Sequence, residues 1–263
     1  MDVKTATVTT HGFSMDYFSF GSGSVPFVML PGIYTKPITT LSLAVAAAYK
    51  DFAEHFTVYV FDRRTQLPEG YTIKDTAADT AAVLDELGIK SACVFGVSMG
   101  GMTAQVLAVN RPDLVGKLIL SSTSSRISPQ TAEKLSEFIT LAQSGDSDAM
   151  SLAFAKAVYT PSFFETYKDA IIMSLGGSTK ADIDRFVTLT KAIKNFDIFN
   201  ELDRIKCPTL VIGAGEDRLL GVQASRDIAG KTGAELFVYE GYGHGAYDEA
   251  PDYKDRILEF FTR

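Results

Sequence analysis

Ser98 sits within Gly96-Val97-Ser98-Met99-Gly100, at the end of an apolar run and just before a helix-forming segment. A strand–turn–helix this sharp has no room for side chains at its flanks, so Gly96 and Gly100 let strand and helix pack closely. The serine at the apex then shows its hydroxyl at the carboxyl edge of a sheet, with neighbouring amides at a helix N-terminus. A serine hydroxyl is a poor nucleophile until an imidazole takes its proton, and a carboxylate must fix that imidazole's tautomer and stabilise its charged form. Three histidines are available. His11 falls in a Thr-Thr-His-Gly turn between two short strands, and His55 ends a helical pattern, where a cation suits a helix C-terminus. His244 alone lies in a glycine-flanked loop after a late strand, so it is the base by elimination. A carboxylate is offered by the turn Ala214-Gly215-Glu216-Asp217, which leaves the apolar strand 209–213.

The elements that must position these groups alternate β and α, as a doubly wound sheet requires. Strands near 6–10 and 15–20 read as an antiparallel hairpin, and 27–30 as a short buried strand. Apolar residues at Leu41, Val45, Ala48, Tyr49 and Phe52 predict a helix over 41–56, followed by a strand at 57–61. A helix over 75–87 stops at Gly88, and 117–121 and 235–239 read as further strands. From about 124 to 200 the alternation fails. Only helical patterning remains there, broken at 144–146, 160–162 and 176–178, with Ser128-Pro129 opening its first helix. The expected organisation is a core of residues 1–123 and 201–263 with a helical cap, 124–200, inserted in it.

With these residues identified, the chain resembles the α/β-hydrolase superfamily, in its serine-nucleophile, esterase- and lactonase-like branch, over nearly its whole length. Gly243-His244-Gly245 followed by Asp248-Glu249-Ala250-Pro251-Asp252 is similar to that family's histidine loop and last helix. Leu30-Pro31-Gly32-Ile33 sits where the family carries its oxyanion loop, and Phe61-Asp62-Arg63-Arg64 matches a structural turn. The resemblance implies an α/β-hydrolase fold: a mostly parallel, doubly wound sheet with an inserted helical cap. It implies a triad of Ser98, Asp217 and His244, with Glu216 left as a solvated turn residue. It also implies an oxyanion held by the backbone N–H groups of Ile33 and Met99. Two departures stand out. Pro31 replaces the family's usual histidine, which backbone donors tolerate, and Asp62-Arg63-Arg64-Thr65 lacks the turn's glycine. Asp62 and Arg64 are expected to form an ion pair that pins a loop.

The 263 residues are 46% hydrophobic, ample for one core or for a core domain with a small cap. A net charge of −7 argues against nucleic acid or an anionic membrane surface as partner, and no apolar run is long enough to span a bilayer. Met1-Asp2-Val3-Lys4-Thr5 carries no signal-peptide core, and Cys93 and Cys207 sit in apolar strand contexts, so a cytoplasmic chain with buried free thiols is expected. No metal-ligand spacing is visible, and neither metal nor cofactor is expected. The cap is rich in aromatics, including Phe138, Phe154, Tyr159, Phe163, Phe164, Tyr167, Phe186, Phe196 and Phe199. Most of these must close the cap onto the core, but as a set they imply an apolar pocket for a small or medium uncharged acyl group. Phe163, Phe164 and Tyr34 are the expected substrate-binding residues.

The function expected from this constellation is hydrolysis of carboxylic esters, including lactones and thioesters, through an acyl-enzyme on Ser98. The resemblance leaves C–C bond hydrolases and cofactor-free haloperoxidases on the same triad as alternatives. Many of those carry tryptophan near the site, and this chain has none. A rival of another class is a non-catalytic ligand-binding protein on the same fold. Such proteins usually lose a triad residue, and here all three are in place. The oligomeric state is not readable from the sequence.

Overall fold

The computed structural model describes residues 2–10 and 12–263, so the reading of His11 as a turn residue lies outside the described residues. Among them, eight strands form one sheet in the order β1-β2-β4-β3-β5-β6-β7-β8. These are β1 Lys4–Thr9, β2 Ser14–Phe20, β3 Val25–Leu30, β4 Phe56–Arg64, β5 Ala92–Val97, β6 Val115–Ser121, β7 Thr209–Ala214 and β8 Glu235–Tyr239. β1 and β2 form the expected hairpin, β2 runs antiparallel to β4, and the other pairings are parallel.

The central parallel strands β3, β5, β6 and β7 are largely buried on both faces, and their alternate residues divide between two cores. Val28, Leu30, Val94, Leu118, Leu120 and Val211 point to one face, where α2 Ile73–Glu86, α3 Met99–Asn110 and α8 Val222–Thr232 pack. Phe27, Met29, Phe95, Ile119, Leu210 and Ile212 point to the other, against α1 Ser42–Ala48 and α10 Tyr253–Thr262. Each fully buried Leu, Ile or Phe contributes roughly 1.5–3 kcal/mol by leaving water, so a slip of one residue in any central strand is strongly disfavoured. That fixed register matters for the site. Leu30 lies beside Gly96 and Gly96 beside Leu120, so the loops after β3, β5, β7 and β8 emerge along one edge of the sheet.

Between β6 and β7 the chain forms four helices, α4 Pro129–Ser144, α5 Ser147–Val158, α6 Pro161–Leu175 and α7 Lys180–Lys194. Ser128 and Thr160 cap α4 and α6 ahead of Pro129 and Pro161, while Thr179 and Asp182 form a reciprocal capping box on α7. The insertion leaves and rejoins the sheet through a narrow neck: Arg126 bridges Asp197 in antiparallel fashion, and Ile198 N donates to Ser125 O at 2.9 Å. Helix α9 Ala246–Glu249 is a single turn.

Two sequence expectations need correction. The helix over 41–56 exists only as α1, flanked by short 3-10 turns at Ile38–Leu41 and Lys50–Phe52. Its apolar period is real, but Tyr49 takes a non-helical φ of −111° and ψ of 26°, and His55 ends no helix. Asp62 and Arg64 do not pair with each other. Asp62 Oδ1 accepts from Arg185 of α7 at 2.5 Å, and Arg64 reaches Asp79 at 3.5 Å. Successive β4 residues point to opposite faces and residues two apart to the same face, but Asp62 is claimed by a cap arginine that no local pattern could reveal.

Candidate active site

Ser98 adopts φ 54° and ψ −121°, in a region that L-residues rarely enter. Such a backbone costs on the order of 1–3 kcal/mol and persists only where neighbours over-determine it. They do so here. Ser98 N donates to Ser121 O at 2.9 Å, while Ser98 O accepts from Met102 N at 3.1 Å and from Thr123 Oγ1 at 2.7 Å. Glycine is obligatory at two nearby positions. A Cβ on Gly100 would lie 1.8 Å from Leu30 O, and one on Gly96 would lie 2.6 Å from Gly100 O. Strand β3, strand β5 and helix α3 therefore touch through bare backbone, and the turn at Ser98 is the geometric result.

His244 is 2% exposed, and its Nδ1 lies 2.8 Å from Asp217 Oδ2. The other oxygen, Asp217 Oδ1, accepts from Leu219 N at 2.8 Å and Leu220 N at 2.9 Å. Burial alone would push the Asp217 carboxyl up. The imidazole and these two amides outweigh it and hold the carboxyl below its ordinary range. Glu216 points to solvent. Ser98 Oγ makes no hydrogen bond to a described residue, but Ser98 and His244 line the same cavity, a geometry that tightens in many enzymes only when substrate arrives.

The loop after β3 runs directly past the serine, with Gly32 so placed that a Cβ there would be 3.4 Å from Ser98 Cβ. Buried Arg63 braces this loop by donating to Pro31 O at 2.5 Å. Asp62 accepts Ile38 N at 3.0 Å and the Arg185 guanidinium, tying the same corner to the cap. Among the described residues the Ile33 and Met99 amides donate to no other group, and Met99 begins α3, where the first amides have no partner within the helix.

The cavity above Ser98 measures about 290 Å³. The β3 loop through Tyr34 and helix α1 form its lower wall, and Phe154 and Val158 from α5, Tyr159 just past its end, and Ile171 and Leu175 from α6 form its roof. Tyr34 is thus on the wall. Phe163 and Phe164 are not. Phe164 is 2% exposed in a cluster with Ala155, Ile171 and Leu175, and Phe163 packs against Tyr159 and Tyr167 with ring centroids 5.2 and 4.6 Å away. Phe164 lies before the kink that α6 makes at Tyr167 (φ −114°, ψ 15°), and the cavity-lining Ile171 and Leu175 lie after it. The reading of the sequence missed Ile171, Leu175, Tyr247, Asp248 and Lys254, which also line the cavity. The last three follow His244 closely enough that the histidine loop itself was the available signal.

Histidine loop and cap are joined by several bonds. Gly245 N donates to Val158 O at 2.8 Å, and Thr160 donates through N and Oγ1 to the two oxygens of Glu249 at 3.0 and 2.6 Å. Burial pushes the Cys93 thiol up to about 11, so it is a protonated core side chain rather than a second nucleophile. Among the described residues no helix is long and apolar enough to cross a membrane.

Known proteins resemble this chain across the same elements. The 3-oxoadipate enol-lactonase 2 of Acinetobacter baylyi is 24% identical over 216 residues, covering 80% of this chain and 79% of its own. The 2-hydroxy-6-oxononadienedioate/2-hydroxy-6-oxononatrienedioate hydrolase of Burkholderia vietnamiensis is 31% identical over 193 residues, 70% of this chain and 66% of that one. The crystal structure of MGS-M2, an alpha/beta hydrolase enzyme from a Medee basin deep-sea metagenome library, matches the fold with a TM-score of 0.88 at 23% identity, covering 98% of both chains. A family model described as alpha/beta hydrolase fold matches residues 25–251, and the chain belongs to that family.

Proposed function

We propose that the chain is a serine hydrolase that cleaves small to medium, largely apolar carboxylic esters, lactones and thioesters included, through an acyl-enzyme on Ser98. The observation that carries this reading is the buried Asp217–His244 bond sharing one cavity with a serine forced onto a strained apex. In the proposed reaction His244 accepts the Ser98 proton as Oγ attacks the carbonyl carbon, and Asp217 stabilises the imidazolium. The Met99 and Ile33 amides take the oxyanion, where each such donor is worth about 10²–10³ in rate. His244 then returns the proton to the leaving group, and water activated by the same imidazole releases the acid. Relatives named as a lactonase and as another hydrolase support the reaction class. The division into a core, 1–123 and 201–263, and a cap, 124–200, gives the roof its role: the core supplies the chemistry and the cap the limit on substrate size. Two free cysteines fit a reducing compartment, and we assign the chain to the cytoplasm on that basis.

The test is hydrolysis of p-nitrophenyl butyrate by the Ser98→Ala protein, with circular dichroism to confirm that it folds. The expected loss is on the order of 10⁴-fold or more, because triad members act as a unit. A folded variant that keeps most of the activity contradicts the assignment.

A further inference from the structure

Part of the cavity wall is polar for a reason that the triad does not use. Tyr34, Tyr159, Tyr247, Asp248 and Lys254 all line it, in a cavity otherwise walled mainly by aliphatic and aromatic groups. Asp248 is carried on α9, four residues past His244. Tyr159 of the roof donates its hydroxyl to Asp248 Oδ2 at 2.8 Å, and among the described residues Oδ1 accepts no hydrogen bond. Lys254 does not close an ion pair with it: its Nζ donates to Tyr247 O at 3.2 Å and stands 5.8 Å from the centre of the Tyr49 ring. Although Asp248 itself is exposed, desolvation by the protein around it pushes its carboxyl above the ordinary range, and only in part do the Tyr159 hydroxyl and Lys254 pull it back. The phenols of Tyr34 and Tyr247 are themselves held neutral by burial, so they add no second negative charge beside it. Asp248 is exposed, so a ligand that covers Oδ1 without bringing a donor strips its hydration at a cost, and a ligand that brings a donor avoids that cost.

We infer that Asp248 is a specificity-determining residue whose free Oδ1 receives a hydrogen-bond donor, a hydroxyl or an ammonium, carried by the substrate away from its scissile carbonyl. By the same charge it excludes substrates that place a carboxylate there. This rests on the hydrolase reading for the reaction but not for the binding. The substrate class narrows accordingly, from apolar esters in general to esters with one donor-bearing tail.

Two matched sets of esters test it. One varies the alcohol tail of a butyrate: butyl, 3-hydroxypropyl, 3-aminopropyl and 2-carboxyethyl. The other varies the acyl tail of a methyl ester: hexanoate, 5-hydroxypentanoate, 5-aminopentanoate and the half-ester of glutarate. In at least one set a donor-ended ester should exceed its methyl-ended match in kcat/KM by about tenfold, and the carboxylate-ended ester should fall about tenfold below it, the scale of a hydrogen bond to a charged group. Asp248→Leu should bring both ratios close to one. Asp248→Asn, which keeps an acceptor, should lose the discrimination against carboxylate and retain a preference for the hydroxyl. Tyr159→Phe removes the tether and leaves the carboxyl, so it should keep both ratios. Wild-type preference for methyl tails in both sets overturns the inference, as do ratios unchanged in Asp248→Leu or lost only in Tyr159→Phe. Binding separates this from failure of the hydrolase reading, because Kd ratios for the matched ethers, which no hydrolase cleaves as esters, report the subsite whether or not Ser98 is the nucleophile.

Discussion

At the floor of the cavity, Ser98 is held by the backbone of Met102 and Ser121 and by the Thr123 hydroxyl, all close in sequence or one strand away. At the roof, Ile171 and Leu175 reach the cavity from a helix whose placement depends on distant contacts: Thr35 Oγ1 with Leu175 O, and Thr160 with Glu249. The floor tolerates almost no change, since Gly100 has Leu30 O where a Cβ would sit. The roof is side chain against side chain, and side chains can be shortened without dismantling the turn beneath them. A fold built this way can keep one chemistry on the sheet edge while its substrate range is reset by residues of the insertion.

The largest effect that sharpens this contrast belongs to the floor. Asp217→Asn should lower kcat by about 10⁴-fold, because the amide leaves His244 in the wrong tautomer. Glu216→Gln, one residue away and facing solvent, should stay close to wild type. Steady-state kinetics on a short p-nitrophenyl ester decide the matter, and the reverse pattern would reassign the acid.

The roof should give smaller and differently shaped effects. Each added methylene that the cavity can bury contributes about 0.8 kcal/mol, or about fourfold in kcat/KM, until the space is filled. Ile171→Ala, which enlarges the roof, should move the optimal acyl chain one or two carbons longer. Phe163→Ala should leave the profile's shape unaltered, since Phe163 packs on Tyr159 and Tyr167 outside the cavity. Profiles from acetyl to octanoyl esters measure both. A shift with Phe163→Ala and none with Ile171→Ala would reverse the placement of the roof.

The smallest expected effect is on stability in acid. Asp217 has a folded-state pKa below its unfolded value, so the unfolded chain takes up this proton first as pH falls. Its contribution is fully present above about pH 4 and is lost as pH drops through the lower folded value. Urea midpoints from pH 6 to pH 2.5 should therefore decline more gently in Asp217→Asn than in wild type. An equal or steeper decline would show that the carboxyl is not held down by His244 and the two amides.

These differences also explain what could be read from the sequence. The turn at Ser98 was legible because its causes are local: two glycines, an apolar strand before and a helix after. His244 was legible because it has only two competitors, and Asp217 because its position matched a family pattern. The end of α1 at Ala48 was not, since the apolar period continues through Phe52 after the helical backbone has stopped. The partner of Asp62 was not, since Arg185 lies 123 residues away in the chain and meets it only when α7 docks. Phe163 and Phe164 sit before the kink at Tyr167 and the cavity lies after it, and periodicity reports which face of a helix is apolar, not where the cavity meets it. Asp248 is legible only as part of the histidine-loop match, because Tyr34 and Tyr159 beside it come from distant parts of the chain.

The central claim is that Ser98 is activated by His244 and Asp217 inside one cavity. Its most direct measurement is labelling by a fluorophosphonate followed by intact mass. The wild-type protein should gain one adduct, placed on Ser98 by peptide mapping. Ser98→Ala should gain none, and Asp217→Asn should label more slowly by orders of magnitude. Absence of labelling at high probe concentration, or an adduct that persists in Ser98→Ala, would contradict the account.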